Sequence, residues 1–175
     1  MSMFPIATYT TTGTDASIVI SGIPATFQHL RIHTIMRTNG GSGANIEMRF
    51  NADTTGANYF SSYLGTNGGG CFAGNFGGNA NIGWSGAGTD TTGSLGSSIV
   101  TIQDYANTSK FKTTRAINGV IQTSSTGAGL SGIWAGLWIS TAAINSITFS
   151  SSSGSFIPGT SIQIYGMQAS QMTGA

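Results

Sequence analysis

The chain has 175 residues, of which 6% are charged and 39% hydrophobic, with 27 glycines and a formal net charge of +1. That length suits one domain with a sizeable core, and adequate apolar content with so few charges argues against disorder. The six Lys and Arg residues are scattered, which excludes the clustered basic stripe of a nucleic-acid binder. Cys71 is alone, so an internal disulfide or a Cys-rich metal site is excluded and synthesis in a reducing cytoplasm is expected.

The opening residues, MSMFPIATYT, show neither a basic region nor a long apolar run, and no signal peptide is expected. The first strand is expected over 6–11 and the second over 16–21, separated by Thr-Gly-Thr-Asp at 12–15. In the third, Leu30, Ile32, Thr34 and Met36 alternate with His29, Arg31, His33, Ile35 and Arg37. In the fourth, Ile46, Met48 and Phe50 alternate with Glu47, Arg49 and Asn51. A period of two puts one set on a core face and the other outside. Turns are expected at 39–43, 52–56 and 124–127. Further strands are expected over 59–63, 97–105, 111–122, 132–140, 145–150 and 161–166. About ten strands at short spacing, with no helical stripe, predict a single all-β domain over 1–175: a jelly-roll-like antiparallel β-sandwich. Residues 65–98 break the pattern. They are rich in Gly and Asn, punctuated by Cys71, Phe72, Phe76, Ile82 and Trp84, and read as an irregular insertion holding one or two strands or as a long loop. Residues 132–149 are apolar but contain Ser, Thr and Asn and lack flanking Lys or Arg, so no membrane helix is expected.

Residues that could carry chemistry are few. The carboxylates are Asp15, Glu47, Asp53, Asp90 and Asp104, and nothing in their spacing suggests the paired arrangement of a glycosidase. His29 and His33 would span about 13 Å along a strand, too far to share a metal, and read as outward polar residues beside Arg31. Asn51, Asp53 and Gly56 have the spacing that opens a calcium loop, but Ser62 stands where the closing glutamate belongs. Asn51 and Asp53 therefore remain weak calcium candidates, with an Asx-stabilised turn as the better reading. Trp84, Trp134, Trp138, Tyr59 and Tyr63 could stack on sugars, although core or interface packing is the commoner use of such residues. No cofactor is expected.

Four phrases occur in order: SIVISGIPATFQHLRI at 17–32, RFNADTTGANY at 49–59, DYANTSKFKTTR at 104–115 and AAINSITFSSSSGSFIPGTSIQIYGM at 142–167. Together they resemble a family of small virion structural proteins of tailed bacteriophages. The resemblance covers nearly all of the chain outside the Gly/Asn-rich segment. It implies a jelly-roll-like fold and a place in the particle as a head-decoration, minor structural or fibre-associated protein, with no catalytic residues to carry over.

Charge placement points the same way. No Asp, Glu, Lys, Arg or His occurs after Arg115 or between Asp53 and Asp90, a surface suited to packing against neighbours. With Trp134, Trp138 and Ser140 turned inward, Ile133, Leu137 and Ile139 would be left outside, where large apolar patches are rare on monomers. These three are the interface candidates, with a homotrimer as the expected assembly. The expected function is that of a non-enzymatic virion protein, assembled in the host bacterial cytoplasm, that decorates and cements the head by binding the major capsid protein. No coiled-coil or β-helical shaft pattern is present to favour a fibre. The alternative is a receptor- or glycan-binding module of a tail fibre or spike. Neither nucleic acid nor membrane is an expected partner.

Overall fold

The computed structural model describes residues 2–41, 44–90, 93–122 and 129–168. The turn expected at 124–127 and residues 42–43 of the turn at 39–43 lie outside them. Twelve strands are present: β1 (Ser2–Thr10), β2 (Ser17–Ser21), β3 (His29–Met36), β4 (Asn45–Phe50), β5 (Tyr59–Thr66), β6 (Cys71–Gly77), β7 (Ala80–Trp84), β8 (Gly96–Ile102), β9 (Lys112–Ile121), β10 (Gly129–Trp138), β11 (Ser146–Ser151) and β12 (Ser161–Gln168). The only helical turn among the described residues is a single 3-10 turn over Gly56–Asn58.

The strands form two antiparallel sheets, ordered β1-β12-β3-β8-β9-β10-β5-β6 and β2-β11-β4-β7. With β5, β6, β9 and β10 set aside, the other eight strands cross from sheet to sheet along the chain except from β4 to β7, which both lie in the small sheet. Their orders, β1-β12-β3-β8 and β2-β11-β4-β7, are the double Greek key of a jelly roll. The four remaining strands widen the first sheet by two hairpins, β9–β10 and β5–β6, joined by the β10–β5 ladder.

The alternating residues meet between the sheets. Leu30, Ile32, Val100, Ile102, Ile162 and Ile164 of the large sheet face Ile18, Met48, Phe50, Ile147 and Phe149 of the small one, and all are buried. Trp134 and Trp138 are also buried. At roughly 1.5–3 kcal/mol for each large apolar side chain removed from water, this core dominates the stability of the fold.

The Gly/Asn-rich stretch is not a long loop. It supplies β6, an edge of the large sheet, and β7, an edge of the small one. Several of its glycines answer to close approach, among them Gly65, Gly74, Gly83, Gly86, Gly88 and Gly96. The Trp84 ring lies over Gly65 and Gly132, where an added Cβ would sit 2.9 and 3.0 Å from it. At Gly83, φ is +134°, and a Cβ would fall 2.2 Å from Asn118 Cγ. That Asn118 side chain accepts from Trp84 N–H and donates to the Trp84 carbonyl, at 2.9 and 3.0 Å. It seals the free side of β7 onto the large sheet.

Candidate functional site

The sequence candidates for chemistry become structural in the fold. Asn51 and Ala52 adopt left-handed conformations, with φ of 52° and 55°, which turns the chain out of β4. Asn51 Oδ1 then accepts from the backbone N–H groups of Asn145 and Ser146, while its Nδ2 donates to the Ala143 carbonyl. Asp53 accepts from Thr55 N–H, Asn58 Nδ2 and Trp138 Nε1, at 2.9, 2.9 and 2.8 Å. These bonds to the charged form, that from Trp138 foremost, hold its pKa down at about 2. The oxygens of these weak calcium candidates thus accept from protein donors, and the Asp53–Thr55 bond is the Asx turn that the sequence favoured. Tyr59 completes the corner, its hydroxyl accepting from Phe50 N–H at 2.9 Å.

The phrase around Asp104 is also architectural. Asp104, with φ of 47°, donates its backbone N–H to His29 Nδ1 and accepts from Lys110 Nζ. Lys112 is fully buried, and its ammonium donates to the carbonyls of Asn107, Lys110 and Thr141 at 2.6, 2.8 and 3.1 Å. Burial lowers its pKa, and the charge of Asp104 offsets part of that. His33 packs against Tyr165, the rings 5.4 Å apart and tilted by 55°, away from His29. Among the described residues no three His, Cys, Asp or Glu side chains cluster as a metal site would require. Asp15 accepts from the Tyr9 hydroxyl, and buried Asp90 accepts from Ala87 N–H. Glu47 lies half-buried on β4, where burial raises its pKa against the pull of Arg49.

The aromatic candidates divide. Tyr59, Trp134 and Trp138 are buried and cannot meet a sugar. Tyr63 and Trp84 are half-buried and join Phe72 and Phe76, which the sequence showed only as apolar punctuation of the Gly-rich stretch and not as stacking candidates. Tyr63 stacks on Trp134 at 4.6 Å and on Phe76 at 5.4 Å, with Phe72 and Trp84 edge-on to it.

What the fold assembles is a surface. Ladder register carries Ile99 of β8 to Ile117 of β9, Ile117 to Ile133 of β10, Ile133 to Leu64 of β5, and Leu64 to Ala73 of β6. The four large side chains form one row across the outside of the large sheet, each between 42% and 61% exposed. Apart from Arg115, the neighbouring rows are small: Ser97, Gly119, Ser131 and Thr66 on one side, Thr101, Arg115, Ala135 and Ser62 on the other. Arg115 is the one charged side chain that these five strands turn outward, since the only other charged residue on them, Lys112, points in. Two furrows flank the row. One, of about 540 Å³, runs between Phe60, Asn75 and Leu137. The other, of about 550 Å³, lies between Leu95, Ile121 and Ser131.

Ile133 and Leu137 therefore stand on this face, exposed and half-buried respectively, with Trp134 and Trp138 behind them. Ile139 and Ser140 are half-buried beyond the end of β10, where Ile139 N–H donates to the Asn58 carbonyl. Sequence reasoning found the β10 contribution but not Ile99, Ile117 or Leu64.

No protein-family model and no curated protein matches the chain. Among solved structures, the crystal structure of exo-inulinase from Aspergillus awamori aligns with 94% of this chain and 29% of its own, at 10% identity and a TM-score of 0.31. This chain thus spans less than a third of that protein, and so low a TM-score carries no argument about fold or function.

Proposed function

We propose that this protein is a non-enzymatic structural component of a bacteriophage particle, a decoration or cement protein that binds the outside of the head and bridges neighbouring copies of the major capsid protein. The observation that carries the reading is the outer face of β8, β9, β10, β5 and β6, with its in-register aliphatic row and single charge. An exposed apolar surface of this kind is uncommon on a monomer and suits a permanent contact. The four sequence phrases add to it, and the hydrogen bonding places residues of two of them at corners of the jelly roll. Copies are proposed to assemble as homotrimers through the Ile133 and Leu137 part of this face.

The receptor- or glycan-binding alternative draws on one observation, the half-buried group of Tyr63, Phe72, Phe76 and Trp84. Aromatic faces of this kind can stack on sugar rings.

Copy number per particle separates the two: hundreds for a head protein, a handful for a tail protein. The decisive variant is Ile133→Asp. It places a carboxylate in the middle of the row without touching the core, so the protein should fold, lose particle attachment and stop raising the temperature at which heads rupture. Unimpaired attachment by Ile133→Asp and Leu137→Asp would refute the surface assignment. Reproducible cleavage of a host polysaccharide by the wild-type protein would refute the non-enzymatic reading.

A further inference from the structure

A sheet edge offers a row of unpaired N–H and C=O groups, and natural proteins shorten, charge, bulge or cover such edges. Three of the four edges here are managed. β1 carries Pro5 and a register shift between Pro5 and Ala7. β7 is sealed by Asn118, and by the Ser61 hydroxyl that accepts from Asn81 N–H. β2 has only five residues, and its apolar Ile18 and Ile20 are already buried.

The edge at β6 has none of these devices. It is seven residues long, CFAGNFG, with no proline or charge, inside a stretch of sequence that is uncharged from 54 to 89. Gly78 N–H donates to the Tyr59 carbonyl. By ladder alternation, the groups of Phe76, Gly74 and Phe72 also turn toward β5, and those of Cys71, Ala73, Asn75 and Gly77 turn to the open side. Among the described residues, no further backbone or side-chain hydrogen bond reaches these four. On the inward face, Phe72 and Phe76 remain only half-buried against Tyr63.

The spacing of the strand is symmetric about Gly74, with Phe72 and Phe76 two residues to either side. We propose that β6 pairs antiparallel with β6 of a second copy across a twofold axis at Gly74, joining two eight-stranded sheets into one. In this register Gly74 faces Gly74, and Phe72 faces Phe76 of the second copy. Both are non-hydrogen-bonded pairs, the kind that brings side chains closest. Ala73 opposite Asn75 and Cys71 opposite Gly77 exchange the open N–H and C=O groups. Glycine is required at the axis because the Tyr63 ring lies over it: a Cβ on Gly74 would sit 2.8 Å from the ring. Pairing covers the exposed sides of Phe72 and Phe76 and makes the two aromatic groups continuous. It leaves the aliphatic row on the outer face free, and it does not depend on the virion reading.

The test uses the purified full-length chain. Ala73→Pro removes an N–H that points to the open edge and none that bonds to β5, so the domain should fold while the mass measured by sedimentation falls by half. A second measurement fixes the register. In a Cys71→Ser background, Ala73→Cys combined with Asn75→Cys puts thiols on facing residues about 5.5 Å apart between Cα atoms, within disulfide range. Mild oxidation should then give a covalent dimer. Either single cysteine variant faces its own copy at roughly 8 Å, outside that range, and should stay unlinked. An unchanged mass for Ala73→Pro, or failure of the double variant to link, would overturn the proposal whatever the particle-attachment experiments show.

Discussion

Replacing Asp53 with Asn removes one charge from the corner that joins β4, the 3-10 turn and β10. The wild-type carboxylate accepts three hydrogen bonds and has a pKa of about 2 against an ordinary 3.8. A shift of that size corresponds to about 2.4 kcal/mol at 1.36 kcal/mol per unit. The side chain is partly exposed, and solvent screening reduces the figure to about 1–2 kcal/mol. Asparagine keeps one acceptor oxygen but turns an NH₂ toward a donor, either Trp138 Nε1 or Thr55 N–H, which adds a few tenths to about 1 kcal/mol. A total near 2 kcal/mol, with a urea slope of about 2 kcal/mol/M, should move the unfolding midpoint down by roughly 1 M at neutral pH. The pH dependence carries a sign. A carboxylate whose folded pKa is depressed contributes stability that is complete above the unfolded pKa and is lost as pH falls through the folded one. The gap between wild type and Asp53→Asn should therefore stay constant above about pH 5 and narrow from about pH 4 toward pH 2. Urea titrations of both proteins across that range measure it. Equal midpoints at neutral pH, or a gap that does not narrow in acid, would refute the role assigned to the Trp138–Asp53–Asn58 bonds.

Lys112→Met should lower the melting temperature by about 10 °C, from a loss of about 3–5 kcal/mol, because it leaves three inward carbonyls without a donor; a melt within a degree or so of wild type would contradict that. Gly83→Ala should cost about 2–4 kcal/mol, since it forces a strained φ and pushes Asn118 off β7. Gly13→Ala, where a Cβ meets nothing within 4 Å, is the control and should be nearly neutral. Denaturation of the pair tests whether glycine in this chain marks close approach or mere permissiveness.

Much of the fold is local information. Period-two alternation along 29–37 and 46–51 reports the strand and its buried face at once, since neighbouring side chains leave a strand on opposite sides. The same rule put Trp134 and Trp138 inside and Ile133 outside before any partner strand was known. It failed for 65–98, because there the residues that make β6 and β7 fit are glycines, whose meaning depends on what approaches them. Nothing local says that Gly65 and Gly132 lie under Trp84, or that Asn118 will cap a strand far from it in sequence. The Asn51–Asp53 stretch was ambiguous for the same reason. A carboxylate and an amide at calcium-loop spacing become corner residues only once Trp138 and Asn145 arrive from the other end of the chain. The surface is the clearest case. Ile99, Ile117, Ile133 and Leu64 are exposed aliphatics of four separate strands, and register alone aligns them. Alternation within a strand limits which side chains it can present. Which of them stand together follows from the folded core, because pairing between distant strands is set by the packing of the whole.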